Sequence, residues 1–130
     1  MNFPEDLYYS ETHEWAKRED NDVVTIGITD FAQKELGDIV YVELVVELNS
    51  KVNKGDELIS IESVKAVDSA FAPVSGHVIE FNSDLEDQYE KVNKAPYTEG
   101  WLVKIKMTDP SELEQLMNAQ QYQEFIKKEK

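Results

Sequence analysis

Apolar residues recur at every second position through much of this 130-residue chain, which is the spacing of strands with one buried face. Val40, Val42, Leu44, Val46 and Leu48 fall on one side of such a strand, with Tyr41, Glu43 and Glu47 on the other. Val24, Ile26 and Ile28 form a second run, and Trp101, Val103, Ile105 and Met107 form a third, opposed by Lys104 and Lys106. The polar stretch Arg18-Glu19-Asp20-Asn21-Asp22 predicts a turn that closes the second run as a hairpin onto residues 13–17.

Two helical regions interrupt or follow the strands. Asp30 is placed to cap the first, Gln33 stands three residues on as in a capping box, and Gly37 can end it in a left-handed conformation. Asp109-Pro110-Ser111-Glu112 reads as N-cap, proline at the first helical position and a capping glutamate. Beyond it, Leu113, Leu116 and Met117, then Tyr122, Phe125 and Ile126, make stripes that predict core contacts and no binding role. The predicted fold is mostly β, a flattened barrel or sandwich with a short internal helix and C-terminal helices. Residues 1–130 read as one domain with a helical appendage over 109–130, and no linker divides them.

Charge narrows the partners. The chain has 27 acidic and 13 basic residues, a formal net charge of −14. Such a surface repels phosphate backbones and anionic lipid, so nucleic acid and membrane are not expected partners. It suits proteins with basic docking patches, although acidity serves solubility equally well. There is no cysteine, which excludes disulfides, thiolate metal sites and cysteine nucleophiles. His13 and His77 are far apart in sequence and predict structural or surface roles, so no metal site is expected. No nucleophile–base constellation is legible, and a non-catalytic protein is expected. The opening Met1-Asn2-Phe3-Pro4-Glu5-Asp6 resembles neither a secretory signal nor a transit peptide. A cytoplasmic, bacterial setting is expected, with the mitochondrial matrix an option only if a presequence has been removed.

Residues 55–76 hold the candidate chemistry. They are mostly small or apolar, bounded by Gly55 and Gly76, with Lys65 in the middle between Glu62 and Asp68. Two strands meeting in a turn at 63–66 would display Lys65 at a projecting tip. That is what a swinging-arm carrier needs, because a lysine supplies reach and a rigid hairpin presents it. A lone lysine is more often a solvent-facing residue with no task, and 63–66 contains none of the usual Gly, Pro, Asn or Asp turn formers. Spacing alone leaves both readings open.

Ile61-Glu62-Ser63-Val64-Lys65-Ala66, followed by Ala72-Pro73-Val74-Ser75-Gly76, resembles the lipoylation segment of glycine cleavage H proteins. Thr12-His13-Glu14-Trp15, the block from Gly27 to Gln33, the block from Leu36 to Leu44, Val92-Asn93, Pro96-Tyr97 and the block from Gly100 to Ile105 are similar to that family in the same order. Biotinyl carriers place Met on both sides of the target lysine, where Val64 and Ala66 stand here. Lipoyl domains of 2-oxo acid dehydrogenases usually have Asp immediately before it.

The resemblance implies a fold of the biotinyl/lipoyl-carrier type and lipoic acid amide-linked to Lys65. It also implies that Glu62, Ser63, Val64 and Ala66 are read by the lipoylating enzyme. The implied role is to carry the aminomethyl group of glycine from glycine decarboxylase, a pyridoxal-phosphate enzyme, to an aminomethyltransferase. Dihydrolipoyl dehydrogenase would reoxidise the arm, and lipoate ligase, or octanoyltransferase with lipoyl synthase, would attach it. A groove near Glu14 would shelter the loaded arm, with Asp68 a second candidate there. The family usually reads Ser-Asp at the third and fourth positions after the lysine, whereas this chain reads Asp68-Ser69. A one-residue exchange in a strand moves a carboxylate to the other face, which puts that contact in doubt. The segment 45–53 lacks the family's usual Pro and Gly, and Gln88-Tyr89 stands where proline is common. Alternatives are a relay that hands lipoate to 2-oxo acid dehydrogenases and a lipoate-free interaction module.

Overall fold

The computed structural model describes residues 1–129, in two sheets joined by short helices. The larger sheet has strand order β1-β2-β3-β9-β8-β5, formed by β1 (Tyr8–Tyr9), β2 (Glu14–Arg18), β3 (Val23–Ile28), β9 (Val103–Met107), β8 (Gly76–Phe81) and β5 (Lys51–Val52). The smaller has order β4-β6-β7, formed by β4 (Ile39–Leu44), β6 (Glu57–Ser63) and β7 (Val67–Phe71). Every named strand pair is antiparallel. The architecture is the sandwich form of the predicted fold, with no closed barrel.

The principal core lies between the sheets. Ala16, Val24, Ile26, Ile28, Val78, Val103, Ile105 and Met107 enter it from the larger sheet, and Ile39, Val42, Ile59, Ile61 and Ala70 from the smaller. The predicted inward faces of β3 and β9 are therefore correct. β3 is covered on its other face too, because the Trp15 indole lies over Gly27, directly opposite it in register.

The run from Val40 to Leu48 departs from expectation. A bulge between Ile39 and Tyr41 breaks the alternation, so Ile39 and Val42 are buried while Val40 and Tyr41 both face solvent. The strand stops at Leu44; Val46 packs on the core from a loop, and Leu48 is exposed. Trp101 likewise precedes its strand and joins a second cluster, with Lys104 lying over its ring.

That second cluster is formed by Leu7, Tyr9, Trp15, Phe31, Ala119, Tyr122 and Ile126. It packs α3 (Ala119–Glu129) against β1, with the Tyr9 and Tyr122 rings stacked at 4.8 Å. Backbone bonds between Tyr9 and Met117, 2.8 Å in each direction, tie the two ends of the chain together. The predicted stripe Tyr122–Ile126 thus faces a core.

α1 (Asp30–Leu36) is capped by Thr29, one residue before the expected Asp30. The Thr29 hydroxyl accepts from the Ala32 N–H, while Asp30 accepts from the Gln33 side chain. Gly37 ends the helix at φ +79° and ψ −158°, outside the left-handed helical basin that was expected. Asp109 does cap, accepting from the Ser111 N–H, but it opens a 3-10 helix over Pro110–Gln115. Glu112 does not turn back to the cap, because its carboxylate accepts from the Ser75 N–H and hydroxyl instead.

Candidate functional site

β6 and β7 form the hairpin that carries Lys65. Glu62 pairs with Val67, and the Ser63 N–H donates to the Ala66 carbonyl at 2.8 Å, leaving Val64 and Lys65 as a two-residue loop. Such loops usually need positive φ, yet neither Val64 nor Lys65 has it. The Ser63 hydroxyl compensates. It accepts from the N–H groups of Lys65 and Ala66 at 3.2 and 3.1 Å and sits 3.2 Å from the Ala66 carbonyl, to which it donates. Ser63 is accordingly buried, while Val64, Lys65, Ala66 and Glu62 are exposed. The Val64 N–H donates to the Asp38 carbonyl at 3.0 Å, bracing the apex against the α1–β4 corner.

The apex carries exposed apolar surface beside its lysine. Val64 and Val67 are 67% and 69% exposed. Tyr41, Glu62 and Val67 form a cross-strand row on the outer face of the smaller sheet. No salt bridge engages Lys65 among the described residues. Its amine is presented rather than consumed in an ion pair.

Beside the hairpin is a cavity of about 450 Å³ between β7 and α1. Phe31, Ala32, Leu36, Ile61 and Ala66 supply apolar wall, and Asp68, Glu35 and Glu129 supply carboxylates. Asp68 and Ser69 both line it, so the exchange of those two residues does not remove the acid from this space. The Asp68 carboxylate bends back to accept from the Ser69 N–H at 2.8 Å. Ser69 in turn donates to Glu57 at 2.6 Å, which brings a further carboxylate to this strand; no residue pattern signals that pairing.

Glu14 lies behind the cavity wall, 1% exposed. One carboxylate oxygen accepts from the Ser10 and Thr12 hydroxyls, and the other from the Phe71 N–H at 3.1 Å. Burial pushes its pKa up to about 7, since desolvation of the charged form outweighs the pull of Thr12, Ser10 and the Phe71 N–H. Thr12 fronts both this cavity and a second one of about 590 Å³ on its other side, which Ser10 and Phe71 also line. The structure therefore brings Asp68 and Thr12 to one cavity, with Lys65 next in the chain to its lining residue Ala66, and sets Glu14 one hydroxyl deeper.

His13 is structural, as expected. It has φ +74°, bonds Tyr122 Oη through Nδ1 at 2.8 Å and meets Glu129 through Nε2 at 3.1 Å. Among the described residues no His, Cys, Asp or Glu cluster could hold a metal ion. No helix of the structure is long and apolar enough to cross a membrane.

A two-sheet sandwich that braces one exposed lysine at a hairpin apex, beside a partly apolar cavity, defines a presentation module of the carrier type. Comparison with known proteins gives the family. Residues 7–129 match the model of the glycine cleavage H-protein family. The chain is 54% identical over 126 residues to the glycine cleavage system H protein of Staphylococcus saprophyticus, covering 97% of this chain and 98% of that one. It is 52% identical, with the same coverage, to the glycine cleavage system H protein of Oceanobacillus iheyensis. The crystal structure of a glycine cleavage system H protein from Mycobacterium marinum superposes with a TM-score of 0.82 at 32% identity, covering 92% of this chain and 95% of that one. The chain belongs to the glycine cleavage H-protein family.

Proposed function

We propose that this chain is the lipoyl carrier of a glycine cleavage system, with lipoate amide-linked to Lys65. The observation that carries the reading is the Lys65 amine itself, exposed on a two-residue loop whose backbone is pinned by Ser63 and Asp38. A modifying enzyme can reach an apex whose neighbours Val64 and Ala66 are also exposed. Hairpin rigidity gives every visiting enzyme the same point of departure for the arm.

The residues present fit the group. Lys65 has no competing ion pair among the described residues, and the adjacent cavity offers apolar wall for a hydrocarbon chain and carboxylates for a cationic end group. When bound, a lipoyl arm supplies the sulfur chemistry that a cysteine-free chain lacks. Asp68, Glu35 and Glu129 give the cavity its negative potential, while Glu14 orients the Thr12 hydroxyl at its wall. On this reading glycine decarboxylase, aminomethyltransferase and dihydrolipoyl dehydrogenase are the clients, and the chain performs no chemical step of its own. A cytoplasmic setting and a single carrier domain belong to the same proposal.

The test is intact and peptide mass spectrometry of the full chain made with a lipoate ligase and lipoate. One lipoyl group on Lys65 is expected, and Lys65→Arg should abolish it with an unchanged circular dichroism spectrum. Modification of another lysine, or none under any attachment route, would refute the assignment. Exchange of labelled carbon dioxide into glycine, with purified glycine decarboxylase and the loaded chain, then tests the client.

A further inference from the structure

The corner between α1 and β4 touches the working lysine. A methyl group on Gly37 would stand 3.2 Å from Lys65 Cε and 3.8 Å from Nζ, so the lysine stem lies over the backbone of a residue with no side chain. Gly37 holds φ +79° with ψ −158°, a region essentially confined to glycine. Its backbone is therefore both special and in contact with Lys65.

This corner is held from two sides. The Val64 N–H grips the Asp38 carbonyl from the hairpin apex. From α2 (Glu90–Lys94), Asn93 makes three further bonds. Its amide nitrogen donates to the Gly37 carbonyl at 2.9 Å and to Gln33 Oε1 at 3.0 Å, and its Oδ1 accepts from the Ile39 N–H at 2.9 Å. Asn93 thus satisfies the backbone on either side of Asp38, where neither helix nor strand can do so.

We propose that Asn93 is a positioning residue for the modified lysine: by fixing residues 37–39, it holds the bare Gly37 backbone as a ledge against the Lys65 side chain and sets the direction in which the arm leaves the hairpin. The inference deepens the carrier reading and rests on it for its biological purpose, but the ledge is a property of the unmodified chain. Asn93 touches no reacting atom. Holding the stem restricts the rotamers of a long side chain before any enzyme meets it, which lowers the ordering cost of each encounter.

The test uses the full unmodified chain, isotope-labelled, and reads the nuclear Overhauser effect between the Lys65 ε-methylene and Gly37 α protons. Asn93→Ala should weaken it at least about threefold as the corner loosens. Asn93→Asp, similar in shape but without the two donors, should do the same and covers the case in which the alanine variant does not fold. Val92→Ala is the control. It opens a cavity at a fully buried position of the same helix, costing stability while leaving the three Asn93 side-chain bonds in place, and should leave the signal intact. In a second arm, kcat/KM for lipoate attachment at Lys65 should fall about fivefold in the Asn93 variants and stay unchanged in Val92→Ala. Persistence of the signal in the Asn93 variants, or equal loss in Val92→Ala, would overturn the proposal. If a ligase leaves wild-type Lys65 untouched while the proton contacts behave as described, the carrier reading fails and the ledge stands.

Discussion

Trp15 and Gly27 face each other across the β2–β3 ladder, and the indole occupies the space a side chain at Gly27 would need. A Cβ there would lie 2.7 Å from three indole atoms, while the indole N–H is anchored to the Pro96 carbonyl at 3.0 Å. The ring cannot move aside without breaking that bond. Gly27→Ala should therefore destabilise the fold by about 1–3 kcal/mol through overpacking, measured by urea unfolding. Lipoate attachment to Lys65 in the folded fraction should be unaffected.

Glu14 makes stability depend on pH. Its pKa is raised from 4.5 to about 7, so the folded chain holds that proton more tightly than the unfolded chain does. The resulting stabilisation is complete below about pH 4.5 and is lost as pH rises through about 7. The gap in unfolding free energy between wild type and Glu14→Gln should shift against wild type by up to about 3 kcal/mol between pH 4.5 and 8. Paired denaturant titrations across that range would show it, and parallel curves would refute a raised pKa.

Ser63→Ala tests the hydroxyl-held turn. The variant leaves the N–H groups of Lys65 and Ala66 without their acceptor. A loss of about 0.5–1.5 kcal/mol is expected, with faster hydrogen exchange confined to residues 64–66. Lipoate attachment should slow more than global stability falls.

Tyr122→Phe removes one hydroxyl that serves two partners, Thr29 Oγ1 and His13 Nδ1, each at 2.8 Å. Thr29 is fully buried and caps α1, so its hydroxyl loses a partner that water cannot replace. About 1–3 kcal/mol of destabilisation is expected by thermal unfolding. Thr29→Val in the same background should cost less than it does alone, because the two residues share one bond.

Much of this was legible in the chain because period and burial agree. β3 and β9 show it, with Val24, Ile26, Val103 and Ile105 all buried as their spacing requires. Illegible features are those in which a local device overrides the period. The bulge at Ile39–Tyr41 adds a residue that no alternation rule anticipates, and it turned Val40 outward. Thr29 and Asp30 are both good caps, and the choice was made by Tyr122 and Thr29 meeting across 93 residues. At the site, Lys65 is legible through resemblance and not through turn formers, because its turn depends on a serine hydroxyl instead of Gly or Asn. Spacing assigns Asn93 no role, since its three partners lie on α1, on β4 and in the corner between them.

The mutual bonds between Tyr9 and Met117 have a temporal consequence. During synthesis Tyr9 leaves the ribosome long before Met117 exists, and β3 likewise waits for β9. A nascent chain can close the hairpins β2–β3 and β6–β7 early, yet the aromatic layer around Tyr122 completes only when the last few dozen residues emerge. Stalled or truncated products should therefore expose Tyr9 and Trp15 together, which marks them for chaperones or proteases before Lys65 can be usefully loaded.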